Sequence, residues 1–132
     1  MKSLIVDDEK VNQTLLQTFL SNYGECITAD DGEEAIHEFK EALIQKVPFD
    51  LVCMDIMMPK INGQRALKEI RHIEKQYEIP SGSFVKVIMT SSLEDSNSAN
   101  EAYFHGRADA YLIKPIDINL LSRELKRLNL IQ

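Results

Sequence analysis

The stretch LIVDDE, residues Leu4 to Glu9, passes from consecutive apolar residues straight into three acids. An apolar run this short, rich in Leu, Ile and Val, reads as a buried β-strand rather than a helix, here Ser3 to Val6, and its carboxyl end delivers Asp7 and Asp8. Working outward, four further short runs have the same character: Glu25 to Ala29, Asp50 to Met54, Val85 to Thr90 and Asp109 to Ile113. The segments between them repeat apolar residues at three and four positions, the helical period. Val11, Leu15, Phe19 and Leu20 form one such stripe, and Ala35, Ile36, Phe39 and Leu43 a second. Ala66, Ile70, Ile73 and Tyr77 form a third, and Ile118, Leu121, Leu125 and Leu128 the last. Alternating strands and helices predict an α/β domain built on a five-stranded parallel sheet. Right-handed crossovers then place helices on both faces, a doubly wound arrangement whose ligands gather outside the carboxyl ends of the strands.

Local signals agree with this division. Asp31 with Glu34 has the form of a capping pair at the second helix, and Asp117 after Pro115 suits the cap of the final one. A further helix, roughly Glu94 to His105, is expected to be mobile, because Ser96, Asn97, Ser98 and Asn100 are poor helix formers and its apolar stripe is thin. Glu78 to Phe84, carrying Pro80 and Gly82, reads as a turn-rich loop.

A length of 132 residues suits one domain, 1–132, and 44% hydrophobic with 27% charged residues is the composition of an ordinary soluble globular protein. The apolar runs fall far short of the roughly 20 residues that span a bilayer, and Met1 to Val6 does not read as a signal peptide. The expectation is a cytoplasmic protein without membrane insertion. A formal charge of −6 disfavours direct nucleic-acid binding. Cys26 and Cys53 sit in apolar surroundings without metal-type spacing, which suits reduced core packing.

The chemistry lies at the strand ends: Asp7 and Asp8 after the first strand, Asp55 after the third, Thr90 to Ser92 after the fourth, Lys114 after the fifth. Taken singly, each has an ordinary explanation. Asp7 and Asp8 could cap a helix, Asp55 could serve a turn before Pro59, Thr90 could be a satisfied core hydroxyl and Lys114 a surface lysine. Taken together they converge. Three carboxylates brought to one place repel unless a cation shares them, which favours a hard metal with oxygen ligands, and Mg2+, which keeps several waters and pairs with phosphate, suits one or two direct carboxylates plus backbone. A carboxylate can attack a phosphoryl group when metal and cation offset charge on the transferring oxygens. Asp55, central in the set, is the expected nucleophile; Lys114 would pair with phosphoryl oxygens, and Thr90 would donate its hydroxyl. His37, His72 and His105 share no ligand spacing.

Four motifs make the comparison with a known family specific: LIVDDE at Leu4 to Glu9, MDIMMPKINGQ at Met54 to Gln64, MTSS at Met89 to Ser92 and YLIKPI at Tyr111 to Ile116. In order and spacing, across essentially the whole chain, the sequence resembles the receiver domains of two-component response regulators. That resemblance implies a flavodoxin-like sheet in the order 2-1-3-4-5 with five helices. It implies phosphorylation of Asp55 by a sensor histidine kinase or a histidine phosphotransfer protein. Mg2+ would be held by Asp8, Asp55 and the Met57 backbone carbonyl, with Asp7 in support, and the bond between Lys114 and Pro115 would be cis. Thr90 would move toward the phosphoryl group and Tyr111 would turn inward, remaking the surface of the fourth and fifth expected helices and the fifth strand for a downstream protein target. Gly63 matches a turn position where glycine would serve a φ > 0 conformation.

The sequence departs from the family in three places. The stretch between Met58 and Thr90 is long, with the excess around Glu74 to Phe84; Ile116 stands where an aromatic is common; and the fourth helix is polar. Met57 and Ser92 occupy the positions that tune phosphate loss, and neither offers a group to orient a hydrolytic water, so a long-lived acyl phosphate is expected. The chain is read as a phosphoacceptor switch that assists its own phosphorylation and dephosphorylation, not as an enzyme with turnover. The alternatives are a relay intermediate that passes the phosphoryl group to a histidine phosphotransfer protein, a receiver excised from a larger regulator, and an aspartate-dependent phosphatase. The last lacks a second nearby Asp after Asp55 to act as general acid. A nucleotide-binding module lacks any glycine-rich phosphate loop after the first strand.

Overall fold

The computed structural model describes residues 1–92 and 108–132; the polar helix expected over Glu94 to His105 lies outside them. Five strands, β1 (Ser3–Val6), β2 (Cys26–Ala29), β3 (Leu51–Asp55), β4 (Lys86–Ser91) and β5 (Ala110–Ile113), form one sheet in the order β2-β1-β3-β4-β5. Every pairing is parallel. The expected strands stand within a residue of their predicted ends. The four α-helices among the described residues are α1 (Lys10–Leu20), α2 (Gly32–Ile44), α3 (Gly63–Gln76) and α4 (Ile118–Arg127). None of these helices is long and apolar enough to cross a membrane.

Period-two alternation within the strands splits the core into two layers. Leu4, Val6, Val52, Met54, Val87 and Met89 meet Ala35 and Phe39 of α2 and Ala66 and Ile70 of α3. Ile5, Leu51, Cys53, Ile88 and Leu112 meet Leu16 and Leu20 of α1 and Leu121 and Leu125 of α4. Each buried Leu or Ile contributes about 1.5–3 kcal/mol relative to an exposed one, so the strands are fixed from both sides. The cysteines are free; Cys53 is buried, and that burial first, with the charge of Cys26 second, pushes its thiol up to about 12.

Three expectations need correction. Of the stripe Val11, Leu15, Phe19 and Leu20, only the second half faces the core: Leu20 is buried and Phe19 packs against that layer, whereas Val11 is 81% and Leu15 39% exposed, and α1 buries Gln13 and Leu16 in their place. Both Val11 with Leu15 and Gln13 with Leu16 satisfy helical spacing, and it is the second pair that lies against the sheet. Tyr77 does not extend the α3 stripe, because the helix ends at Gln76 and Tyr77 is exposed. Gly63 is not a positive-φ residue; that conformation falls on Lys60, with φ 68°.

The caps form largely as expected. Asp31 accepts from Glu34 N at 2.9 Å, while the Glu34 carboxylate accepts from Asp30 N rather than Asp31 N. Asp117 accepts from Asn119 N and Leu120 N. The long α3–β4 connection is held by a buried network. Glu74 accepts from Val85 N at 2.6 Å and from Arg71 at 2.8 Å, and Arg71 donates to Val85 O at 2.8 Å and approaches Asp109 at 3.4 Å.

Candidate functional site

Sheet register brings the strand-end residues together. Val6 pairs with Met54, so Asp7 and Asp55 leave neighbouring strands at the same level, and Asp55 pairs directly with Thr90. Ser91 pairs with Ile113, and Lys114 N donates to Ser91 O at 2.7 Å, which brings Lys114 to the same edge. Its peptide bond to the exposed Pro115 is cis.

The side chains converge. Carboxylate oxygens of Asp7, Asp8 and Asp55 lie within 4.8 Å of one another. Asp7 and Asp55 are 1% and 5% exposed, while Asp8 faces solvent. Lys114 Nζ stands 3.0 Å from Asp55 Oδ2 and 3.1 Å from Asp7 Oδ2. One ammonium thus faces two buried carboxylates with a third beside them. Burial pushes the Asp55 carboxyl up to about 6, against the pull of Lys114, with Asp7 adding to the rise and a hydrogen bond from the Met57 main chain opposing it. Burial also disfavours the Lys114 ammonium, but attraction to the Asp55 carboxylate first, and to Asp7 after it, outweighs that and holds it above its ordinary value.

Asp7 Oδ1 accepts from Glu9 N at 2.9 Å. Asp7 Oδ2 is buried, and Lys114 approaches it by charge without the alignment of a hydrogen bond. Buried carboxylate oxygens left without hydrogen bonds are costly. An all-oxygen cluster with such an atom fits a hard divalent cation.

The loop after β3 shapes the site's floor. Gly63 N donates to Ile56 O at 2.7 Å, and a Cβ on Gly63 would lie 2.2 Å from Asp55 O. Glycine is therefore required by close approach of backbone to backbone. Lys60 reaches Asp31 at 3.3 Å and ties the loop to the start of α2.

The remaining expected residues take these places. Thr90 is buried beside Asp55, and Met57 is exposed next to it. Ser92, half-buried, follows β4. Tyr111, half-buried on β5, packs against the core layer of α2 and α3. The sequence reading missed Gln13 and Asp30: the Gln13 amide donates to Asp7 O and, at 2.7 Å, to Asp30 Oδ1, which Lys10 also contacts at 2.7 Å. Nothing in the residue types at those positions announces that contact.

Comparison with known proteins gives a consistent picture. The family model "Response regulator receiver domain" matches residues 3–126. Response regulator RR06 of Streptococcus pneumoniae is 33% identical over 129 residues, covering 97% of this chain and 52% of that protein. Among solved structures, the CheX-CheY-BeF3-Mg complex from Borrelia burgdorferi matches with a TM-score of 0.79 at 28% identity, covering 100% of this chain and 90% of that one. A chain of the co-crystal structure of the Saccharomyces cerevisiae histidine phosphotransfer protein Ypd1 with the receiver domain of its downstream response regulator Ssk1 matches with a TM-score of 0.77 at 26% identity, covering 96% of this chain and 86% of that one. The chain spans about half the length, or less, of the curated relatives it matches.

Proposed function

This chain belongs to the response-regulator receiver family, and on that premise we propose that it is a phosphorylation-operated switch with Asp55 as phosphoacceptor. The observation that carries the reading is the placement of Lys114 3.0 Å from Asp55, with the Asp7 and Asp8 carboxylates beside them. An Asp55 carboxylate oxygen forms the new bond to phosphorus as the bond from phosphorus to a donor histidine breaks. Lys114 follows the charge from the carboxylate to the phosphoryl oxygens. Thr90, next to Asp55 in the sheet, donates its hydroxyl to the phosphoryl group, and Tyr111 on the adjoining strand turns inward with it, which changes the surface offered to a downstream protein. Asp8, Asp55 and the Met57 carbonyl would hold Mg2+, with Asp7 in support. When bound, the ion offsets negative charge on the transferring group.

The donor is a sensor histidine kinase or a histidine phosphotransfer protein. The outward Val11 and Leu15 in the first turns of α1, just after the acid pair, supply apolar area for docking such a protein. The likeness to a receiver crystallised with a phosphotransfer protein supports the same partner class, and supports the relay reading equally. On either reading the chain works in the cytoplasm. Met57 and Ser92 leave the acyl phosphate long-lived; Met57→Asn combined with Ser92→Glu shortens its lifetime, and an unchanged decay rate would remove that part of the reading.

The direct test is beryllofluoride, a phosphoryl mimic, added with Mg2+ to 15N-labelled chain. Chemical-shift changes centred on Asp55, Thr90 and Lys114 that require both reagents support the reading. Absence of any Mg2+-dependent change overturns it.

A further inference from the structure

We propose that Gln13 is a positioning residue for the acid pair: its amide ties the Asp7 main chain to Asp30 across the ends of β1 and β2, and so sets the cation affinity of the Asp7, Asp8 and Asp55 cluster. This deepens the Mg2+ reading above and rests on it.

Gln13 is a buried polar side chain on the face where α1 meets the sheet, in line with Leu16 and Leu20. Burying an amide without partners costs about 1–3 kcal/mol, so an apolar residue would pack here more cheaply if packing were the only requirement. The Gln13 amide nitrogen instead meets three acceptors: Asp7 O, Asp30 Oδ1 at 2.7 Å and Ala29 O at 3.4 Å. Its carbonyl oxygen faces Lys10 Nζ at 3.5 Å. A side chain whose two N–H groups are met by these oxygens cannot be glutamate, which would add a fourth carboxylate beside the cluster.

The consequence falls on Asp8. Asp7 is held by its N–H to Ala29 O at 3.1 Å and by Glu9 N to its own carboxylate. Asp8 is exposed, and its carboxylate makes no hydrogen bond among the described residues. Its place within 4.8 Å of Asp7 and Asp55 is therefore set by the main chain that precedes it, and the Asp7 carbonyl in that main chain is the atom Gln13 grips. Electrostatic repulsion among three carboxylates works to spread the cluster whenever no cation is bound. The Gln13 bridge to Asp30, itself fixed by Lys10 at 2.7 Å and by Asp30 N to Glu34 at 3.1 Å, resists that spreading.

The test measures Mg2+ dissociation constants by calorimetric titration of the full chain, alongside melting temperature in EDTA. Gln13→Leu is expected to weaken Mg2+ binding about tenfold, the lower end of what loss of an outer-shell partner does to a metal site, while its melting temperature in EDTA does not fall. Phosphorylation by acetyl phosphate should then be restored by raising Mg2+. Asp30→Ala, which leaves the sequence of α1 unchanged while removing the acceptor that Gln13 and Lys10 share, should weaken Mg2+ in the same direction, and Asp30→Asn, which keeps an acceptor, should restore native affinity. Native Mg2+ affinity in both Gln13→Leu and Asp30→Ala would overturn the proposal, as would an affinity loss that Asp30→Asn shares fully. If Gln13→Leu does not fold, the Asp30 pair alone decides. A native chain that binds no Mg2+ would instead overturn the metal reading on which the proposal rests.

Discussion

Replacing Asp55 by Asn should make the metal-free protein more stable at neutral pH. The Asp55 carboxyl is raised to about 6 in the folded chain by burial, with Lys114 and Met57 opposing and Asp7 reinforcing; in the unfolded chain it titrates near 3.9, the usual Asp value. The native state therefore binds this proton more tightly than the unfolded state. Below about pH 4 the group is protonated in both states and costs nothing. As pH rises through the window from about 4 to 6, the unfolded chain ionises first and stability falls; above it the cost is constant. Two units at about 1.36 kcal/mol each give a cost of about 3 kcal/mol as an upper value. Asparagine keeps the shape and an acceptor for Lys114 but carries no charge to desolvate. Urea unfolding followed by far-ultraviolet circular dichroism, since the chain has no tryptophan, should place Asp55→Asn about 2–3 kcal/mol above native at pH 7.5 in EDTA, with the gap closing toward pH 4.5. A mutant no more stable than native at pH 7.5, or a gap independent of pH, would refute the reasoning.

Other expectations follow from the same contacts. Glu74→Ala strips the buried acceptor from Val85 N and the partner from Arg71, and should cost about 3 kcal/mol in urea unfolding; a cost below about 1 kcal/mol would mean the network carries little. Gly63→Ala puts a methyl 2.2 Å from Asp55 O, so the β3–α3 loop must shift, lowering both melting temperature and the rate of phosphorylation by acetyl phosphate; native values for both would refute the close-approach argument. A thiol reagent at pH 8 should label Cys26 slowly and Cys53 only after urea unfolds the chain, because the Cys53 thiol is buried and raised to about 12. Rapid labelling of two thiols in the native protein would contradict that placement.

Much of this was legible in the residues because parallel strands covered on both faces are written as unbroken apolar runs. Leu4 to Val6 and Leu51 to Met54 could be little else, and acids or a lysine immediately after such runs had to emerge at one edge of the sheet. The α1 face was half misread for a definite reason: Val11 and Leu15 keep the helical period with Phe19 as well as Gln13 and Leu16 do with Leu20, and a buried Gln13 depends on acceptors in Asp7 and Asp30 that only the fold brings near. Gly63 showed the converse problem. Glycine announces either positive φ or lack of space, and its neighbours in space, Asp55 and Ile56, decide for the second. The positive φ instead falls on Lys60, a residue type that carries no turn signal.

The measurement that bears most directly on the central claim is intact mass after treatment with acetyl phosphate and Mg2+, comparing the native chain with Asp55→Asn. The switch reading predicts one phosphoryl addition to the native chain, removed by hydroxylamine, suppressed by EDTA and absent in Asp55→Asn. An addition that persists in Asp55→Asn, or none on the native chain from either acetyl phosphate or a phosphorylated histidine phosphotransfer protein, would contradict it.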